Sequence, residues 1–206
     1  MMKEESLWIG EQIDIILKKK KINTCLDIGS STLVFRTKIQ PHIEQNIFKK
    51  LSKSRVKVVH MDQKKSPGVD LVLDINNLET INNKYDLIIL ANVLEHVINP
   101  SIVLEKVNKI ISPRGLLIIT VPHKYVYHPD PIDTFFRPNI SEMRFLLKDY
   151  EVINSQIISG SPSNNKFHLI CGSIKNIFRD SKYNLFLKNL FYVFDSKVLC
   201  CIVRKK

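Results

Sequence analysis

The four cysteines, Cys25, Cys171, Cys200 and Cys201, form no C-x-x-C pair and lie in apolar surroundings. That excludes a zinc or disulfide framework and is the usage of buried free thiols in a reducing compartment. No apolar run is long enough to span a bilayer, and the opening Met1-Met2-Lys3-Glu4-Glu5 carries no signal-type stretch. The expected location is therefore the cytoplasm. G-x-G-x-x-G is absent, as is a G-K-[ST] after a strand, so neither a dinucleotide pyrophosphate cradle nor a Walker-type loop is built. No internal repeat is evident. Acidic residues are scarce, 20 against 31 Lys and Arg, for a formal net charge of +11.

What is present is an ordinary folding composition, 44% hydrophobic and 25% charged over 206 residues. This suits one full-sized domain with extensions. The positive charge clusters: residues 36–65 hold nine Lys or Arg against Glu44 and Asp62, and residues 160–206 hold nine against Asp180 and Asp195. Such stretches suit an anionic partner or, as the plainer reading that we favour, solvated faces.

The chain is organised around Thr24-Cys25-Leu26-Asp27-Ile28-Gly29-Ser30-Ser31. An apolar run passing into a glycine and two hydroxyls reads as a strand opening onto a ligand-binding crevice, or equally as a glycine-terminated core strand. Before it, Ile9, Ile13, Ile16 and Leu17 mark a covering helix within residues 1–21. After it, Ile43, Ile47, Phe48 and Leu51 follow Pro41 at helical spacing. Residues 55–62, 69–74, 85–92 and 116–121 read as further strands, the stretch 85–92 being apolar enough for burial on both faces. A helix from Asn99-Pro100 is stopped by Pro113-Arg114-Gly115. A structured loop over 122–138, a short helix at 141–147, a strand at 151–159, helices within 163–195 and a last strand at 197–204 complete the reading. The alternation predicts an α/β fold, a doubly wound and mostly parallel sheet with extra helices toward the C-terminus.

Asp27, Asp62 and Asp74 stand at the carboxyl ends of consecutive predicted strands and so project toward one sheet edge. A carboxylate after the second strand is placed to accept hydrogen bonds from ribose hydroxyls. With no phosphate cradle, the expected ligand is a nucleoside without a phosphate chain.

These residues resemble the class I S-adenosylmethionine-dependent methyltransferases over residues 22–147. Leu26-Asp27-Ile28-Gly29-Ser30 is similar to that family's first motif, Asp62 to its ribose acid, Asp74 to its adenine-side acid, and residues 86–97, with Asn92, to its fourth-strand motif. Ser31 stands where the family has a second glycine. Phe35-Arg36, Pro67-Gly68-Val69-Asp70, His128-Pro129-Asp130-Pro131-Ile132-Asp133 and Phe136-Arg137-Pro138 resemble a bacterial subgroup of type 11-like enzymes associated with polysaccharide or glycolipid assembly. The resemblance implies a Rossmann-like seven-stranded sheet with an antiparallel final strand and S-adenosylmethionine held by Asp27, Gly29, Ser30, Asp62, Asp74 and Asn92. His128, Asp130, Asp133 and His96 are then the candidates for base or substrate positioning, and Arg137 and Tyr127 for holding the acceptor. Glu95-His96 resembles part of the metal-binding E-x-x-E-H of some O-methyltransferases, but Asn92 replaces the first Glu, so no metal is assigned.

The expected reaction is methyl transfer to oxygen of a small-molecule, sugar or lipid-linked acceptor. RNA methylation and a non-catalytic scaffold are the alternatives, the former lacking any recognisable RNA-binding module. The amphipathic stretches within 163–195 could rest on the inner face of a membrane, though packing on the sheet or on each other is the reading we favour.

Overall fold

The computed structural model describes residues 1–128, 132–160 and 195–206. Its strands are β1 (Thr24–Ile28), β2 (Lys57–Asp62), β3 (Leu71–Val72), β4 (Tyr85–Ala91), β5 (Ile111–Lys124), β6 (Tyr150–Gly160) and β7 (Ser196–Lys205). They form one seven-stranded sheet in the order β3-β2-β1-β4-β5-β7-β6. All neighbouring pairs among β1 to β5 are parallel, whereas β7 runs antiparallel between β5 and β6. This is the expected Rossmann-like α/β class, and the strand order reverses beside β1, where such sheets open a crevice.

Helices cover both faces because β4 is apolar on both. Leu87 and Ile89 point to one side, into a core shared with Trp8, Ile9 and Ile13 of α1 (Lys3–Lys19). Ile88 and Leu90 point to the other, against Val103, Leu104 and Val107 of α4 (Pro100–Ile110). Side chains alternate across a strand, so four consecutive fully buried residues each contribute about 1.5–3 kcal/mol by leaving water. Asn99 caps α4 through Ile102 N, with Pro100 in the first turn.

Between β1 and β2 the chain is helical over Phe35–Ile39 and, after a break at Gln40, from Pro41 to Lys53, winding partly as π-helix beside α2 (Pro41–Ile43) and α3 (Lys49–Lys53). Gly10 lets α1 close on this layer, since a Cβ there would stand 2.3 Å from the Asn46 carbonyl oxygen.

Three expectations are corrected. The third strand pairs only over Leu71–Val72 rather than 69–74, because an edge strand has one neighbour and Asp70 turns its carboxylate onto His60 N. Asp74 instead caps a 3-10 turn, Ile75–Thr80. The fifth strand is longer than 116–121: Pro113-Arg114-Gly115 forms an irregularity inside β5, with Arg114 at φ 56°, and Pro122 and Lys124 still pair with β7. The loop after β5 therefore begins only at Tyr125 and runs to α5 (Ile140–Leu146).

Cys25, Cys200 and Cys201 are buried free thiols. Cys171, Asp130 and the helices expected within 163–195, with their membrane reading, lie outside the described residues apart from Asp195. Among the described residues no helix is long and apolar enough to cross a membrane.

Candidate active site

Gly29 ends β1 at φ 76°, a conformation that L side chains rarely adopt, and a Cβ there would meet Val93 Cγ2 at 2.6 Å. Its amide and that of Ser30 both donate to the Met61 carbonyl oxygen, at 2.9 and 3.0 Å. Ser31, where a second glycine was expected by resemblance, takes the left-handed conformation itself at φ 56°. Its amide donates to Asp62 Oδ2 at 2.9 Å, which holds the residue in that strained state. The turn thus keeps a glycine-like path without the glycine.

Above this turn opens a cleft of about 840 Å³, within the range of small-molecule sites. Asp27, Gly29, Ser30, Asp62, Asp74, Asn92 and His96 all line it, so the structure brings together every residue that the resemblance assigned to the cofactor, and His96 with them. Asp27 is paired with His60 Nδ1 at 2.8 Å and is 6% exposed. Asp62 also accepts from Lys64 N at 3.0 Å, and Asp74 accepts from Asn76 N at 2.7 Å. Each carboxylate oxygen has two lone pairs, so Asp62 and Asp74 keep acceptor capacity toward the cleft. Ile75, Val93, Val97 and Ile102 supply apolar wall between these acids.

The loop after β5 folds back over the end of β4. Thr134 donates through both N and Oγ1 to the Glu95 carbonyl oxygen, at 2.9 and 3.0 Å, and the His96 ring bonds to the Ile132 carbonyl oxygen. This brings His128 beside His96, ring centroids 5.1 Å apart. Asp133 builds the loop: its carboxylate accepts from His128 N, Phe135 N and Arg137 Nη2, the last at 2.6 Å. Those bonds, Arg137's above all, hold the Asp133 carboxyl below the usual carboxylate range although burial opposes them. Arg137 is therefore engaged inside the loop, and Tyr127 stacks on Phe135 at 4.9 Å. Burial pushes the His128 imidazole below its ordinary value and drives the Glu95 carboxyl up to about 8.

Three groups here were not singled out for the site. Arg36 is 2% exposed and donates to the carbonyl oxygens of Ser30, Ser31 and Gly68 at 3.0, 2.9 and 2.8 Å, clamping the turn from behind. Glu5 reaches from α1, fully buried, to accept from Asn92 Nδ2 at 2.7 Å and Thr120 Oγ1 at 2.6 Å. It thereby ties the covering helix to the cleft floor. Glu95 was part of a quoted motif, but both its carboxylate oxygens prove buried without a hydrogen-bond partner.

Residues 10–164 match the family model described as a methyltransferase domain. The chain belongs to that family. Its sheet and helices have the fold of S-adenosylmethionine-dependent methyltransferases. Coclaurine N-methyltransferase, solved with N-methylheliamine and S-adenosylhomocysteine, superposes at a TM-score of 0.59 with 15% identity, over 97% of this chain and 72% of that one. The N-methyltransferase NodS from Bradyrhizobium japonicum WM9, solved with S-adenosylhomocysteine, gives 0.54 and 10% over 95% and 85%. The [4+2]-cyclase SpnF gives 0.57 and 12% over 95% and 80%. No curated protein matches the chain in sequence.

Proposed function

We propose that this methyltransferase binds S-adenosylmethionine in the cleft above Gly29 and methylates a heteroatom of a small acceptor that enters past His96. The observation that carries the reading is the convergence on one cleft of the Gly29 turn with Asp27, Asp62, Asp74 and Asn92. The residues fit the donor: the turn is a cradle that a single Cβ would fill, and two carboxylates retain free lone pairs for hydroxyl and amine hydrogens. Asp62 would hold the ribose hydroxyls, Asp74 the adenine side, and Asp27 with the Gly29–Ser30 backbone the amino-acid end. When bound, the cofactor supplies an activated methyl group, and the protein supplies alignment.

The acceptor's heteroatom must also give up a proton, and His96, which lines the cleft, with His128 beside it is where lone pairs are available for it. Oxygen of a sugar or lipid-linked acceptor is our first choice, following the resemblance of the loop 128–138 to the polysaccharide-associated subgroup. Amines come second, since two of the superposed enzymes are named N-methyltransferases. Buried free thiols support a cytoplasmic setting.

The test is transfer of an isotope-labelled methyl group to a panel of glycan, lipid-linked and amine acceptors. Label on a glycan or lipid-linked hydroxyl is expected. Label on amines alone would replace the oxygen assignment, and a folded protein that transfers no label and binds no cofactor would favour the scaffold reading.

A further inference from the structure

Glu95, His96 and His128 bring three donor atoms close together. Nε2 of His96 lies 3.8 Å and Nε2 of His128 3.9 Å from Glu95 Oε1, and the ligand atoms of the three residues all lie within 4.8 Å of one another. Each ring turns its Nδ1 to a backbone carbonyl, His96 to Ile132 and His128 to Val126. A carbonyl can only accept, so Nδ1 carries the hydrogen and Nε2 of the neutral ring presents a lone pair. Two ring nitrogens and the Glu95 carboxyl group therefore lie close together. Separations of 3.8 and 3.9 Å are too long for direct hydrogen bonds between them. Glu95 itself is 0% exposed, and neither of its oxygens has a partner among the described residues.

We propose that Glu95, His96 and His128 form a binding site for a divalent first-row transition ion, of the kind represented by Zn²⁺ or Co²⁺. A triangle with sides of 3.8, 3.9 and at most 4.8 Å places its centre about 2.5 Å or less from each corner. Metal–nitrogen and metal–oxygen bonds of about 2.0–2.2 Å are then reached by closing each ligand a few tenths of an ångström. Two imidazoles with one carboxylate suit zinc, iron, cobalt or nickel rather than magnesium or calcium, which take oxygen ligands. The two carbonyls that orient the rings are the outer-shell supports such ligands use. Asn92, in place of the motif's first Glu, donates to Glu5 and is no ligand, and His128 supplies the third donor from 33 positions beyond Glu95 in the chain. Because His96 also lines the cleft, the ion would stand at its wall. There, on the methyltransferase reading, it would acidify an acceptor hydroxyl as a Lewis acid, the proton leaving to water in the cleft, with His96 and His128 acting as ligands rather than as the base.

Metal-stripped full-length protein is titrated with Co²⁺, reading visible d–d absorption and calorimetric stoichiometry. One Co²⁺ per chain is expected, displaced by Zn²⁺ and unaffected by millimolar Mg²⁺. Glu95→Gln, which keeps the side-chain shape, and His128→Ala, which alters only a loop residue, should each weaken binding by about tenfold or more. His123→Ala, outside the cluster, should leave it unchanged. Absence of Co²⁺ uptake by folded protein, or uptake that survives His128→Ala, would overturn the site. The readout needs no methyl donor, so no Co²⁺ uptake with intact S-adenosylhomocysteine binding removes the ion and leaves the methyltransferase reading standing.

Discussion

Replacing Arg36 should loosen the ligand turn without touching the cleft's acids. Its guanidinium donates to three carbonyl oxygens, of Ser30, Ser31 and Gly68, and its Cζ stands 5.9 Å from the centre of the Phe48 ring. Arg36→Met keeps the packing of the stem and removes all three donors. A carbonyl left without a donor costs about 1–3 kcal/mol when buried. The Ser31 and Gly68 bonds are only part-buried, so water replaces some of what is lost. A net destabilisation of about 3 kcal/mol follows, which for a domain of this size lowers Tm by roughly 6–12 °C. Arg36→Lys, able to reach one or two of the carbonyls, should lose about half as much. Thermal unfolding followed by circular dichroism reads both values. The affinity for S-adenosylhomocysteine should fall in the same order, because the turn is then no longer held in its binding shape. If Arg36→Met melts within about 2 °C of the parent protein, the clamp is not holding the turn and the reasoning fails.

Gly29→Ala would force a Cβ to within 2.6 Å of Val93 Cγ2 at φ 76°; a loss of about 2–3 kcal/mol and of cofactor binding is expected. A variant that binds S-adenosylhomocysteine like the parent would contradict this. Glu5→Ala leaves Asn92 Nδ2 and Thr120 Oγ1 without their acceptor, and urea denaturation should show about 3 kcal/mol of lost stability. No change would mean that α1 is not tied to the cleft floor through this carboxylate. Burial raises the thiols of Cys25, Cys200 and Cys201, the last to about 12, so at pH 8 they should resist alkylation until the protein unfolds. Mass spectrometry of labelled peptides decides it, and rapid modification of Cys200 or Cys201 in the native state would refute the burial.

The fold was legible where burial leaves a local mark. The apolar run of β4 and the cap Asn99-Pro100 of α4 need no tertiary knowledge to read. Val69 to Asp74 has the composition of a longer strand than the sheet pairs, because pairing stops where the edge has one neighbour. The full length of β5 leaves no local mark, because Pro122 and Lys124 are held by β7, which lies over 70 positions away. Asp27, Asp62 and Asp74 could be aligned on one edge from strand spacing alone. Arg36 and Glu5 could not be found that way. One lies in a lysine-rich stretch and the other in the first turn of a helix, where acidic residues are common on solvated surfaces. Their burial is a product of α1 and the helical layer closing over the sheet. Glu95 was visible as a letter in a motif, but the meeting of its carboxylate with His128 depends on the loop after β5 folding back through Thr134.

The most direct test of the central claim is calorimetric titration of the purified protein with S-adenosylmethionine and S-adenosylhomocysteine. Saturable binding of one molecule per chain, lost in Asp62→Ala, is the predicted result. A protein that is folded by circular dichroism and binds neither compound would contradict the assignment of the cleft to the methyl donor.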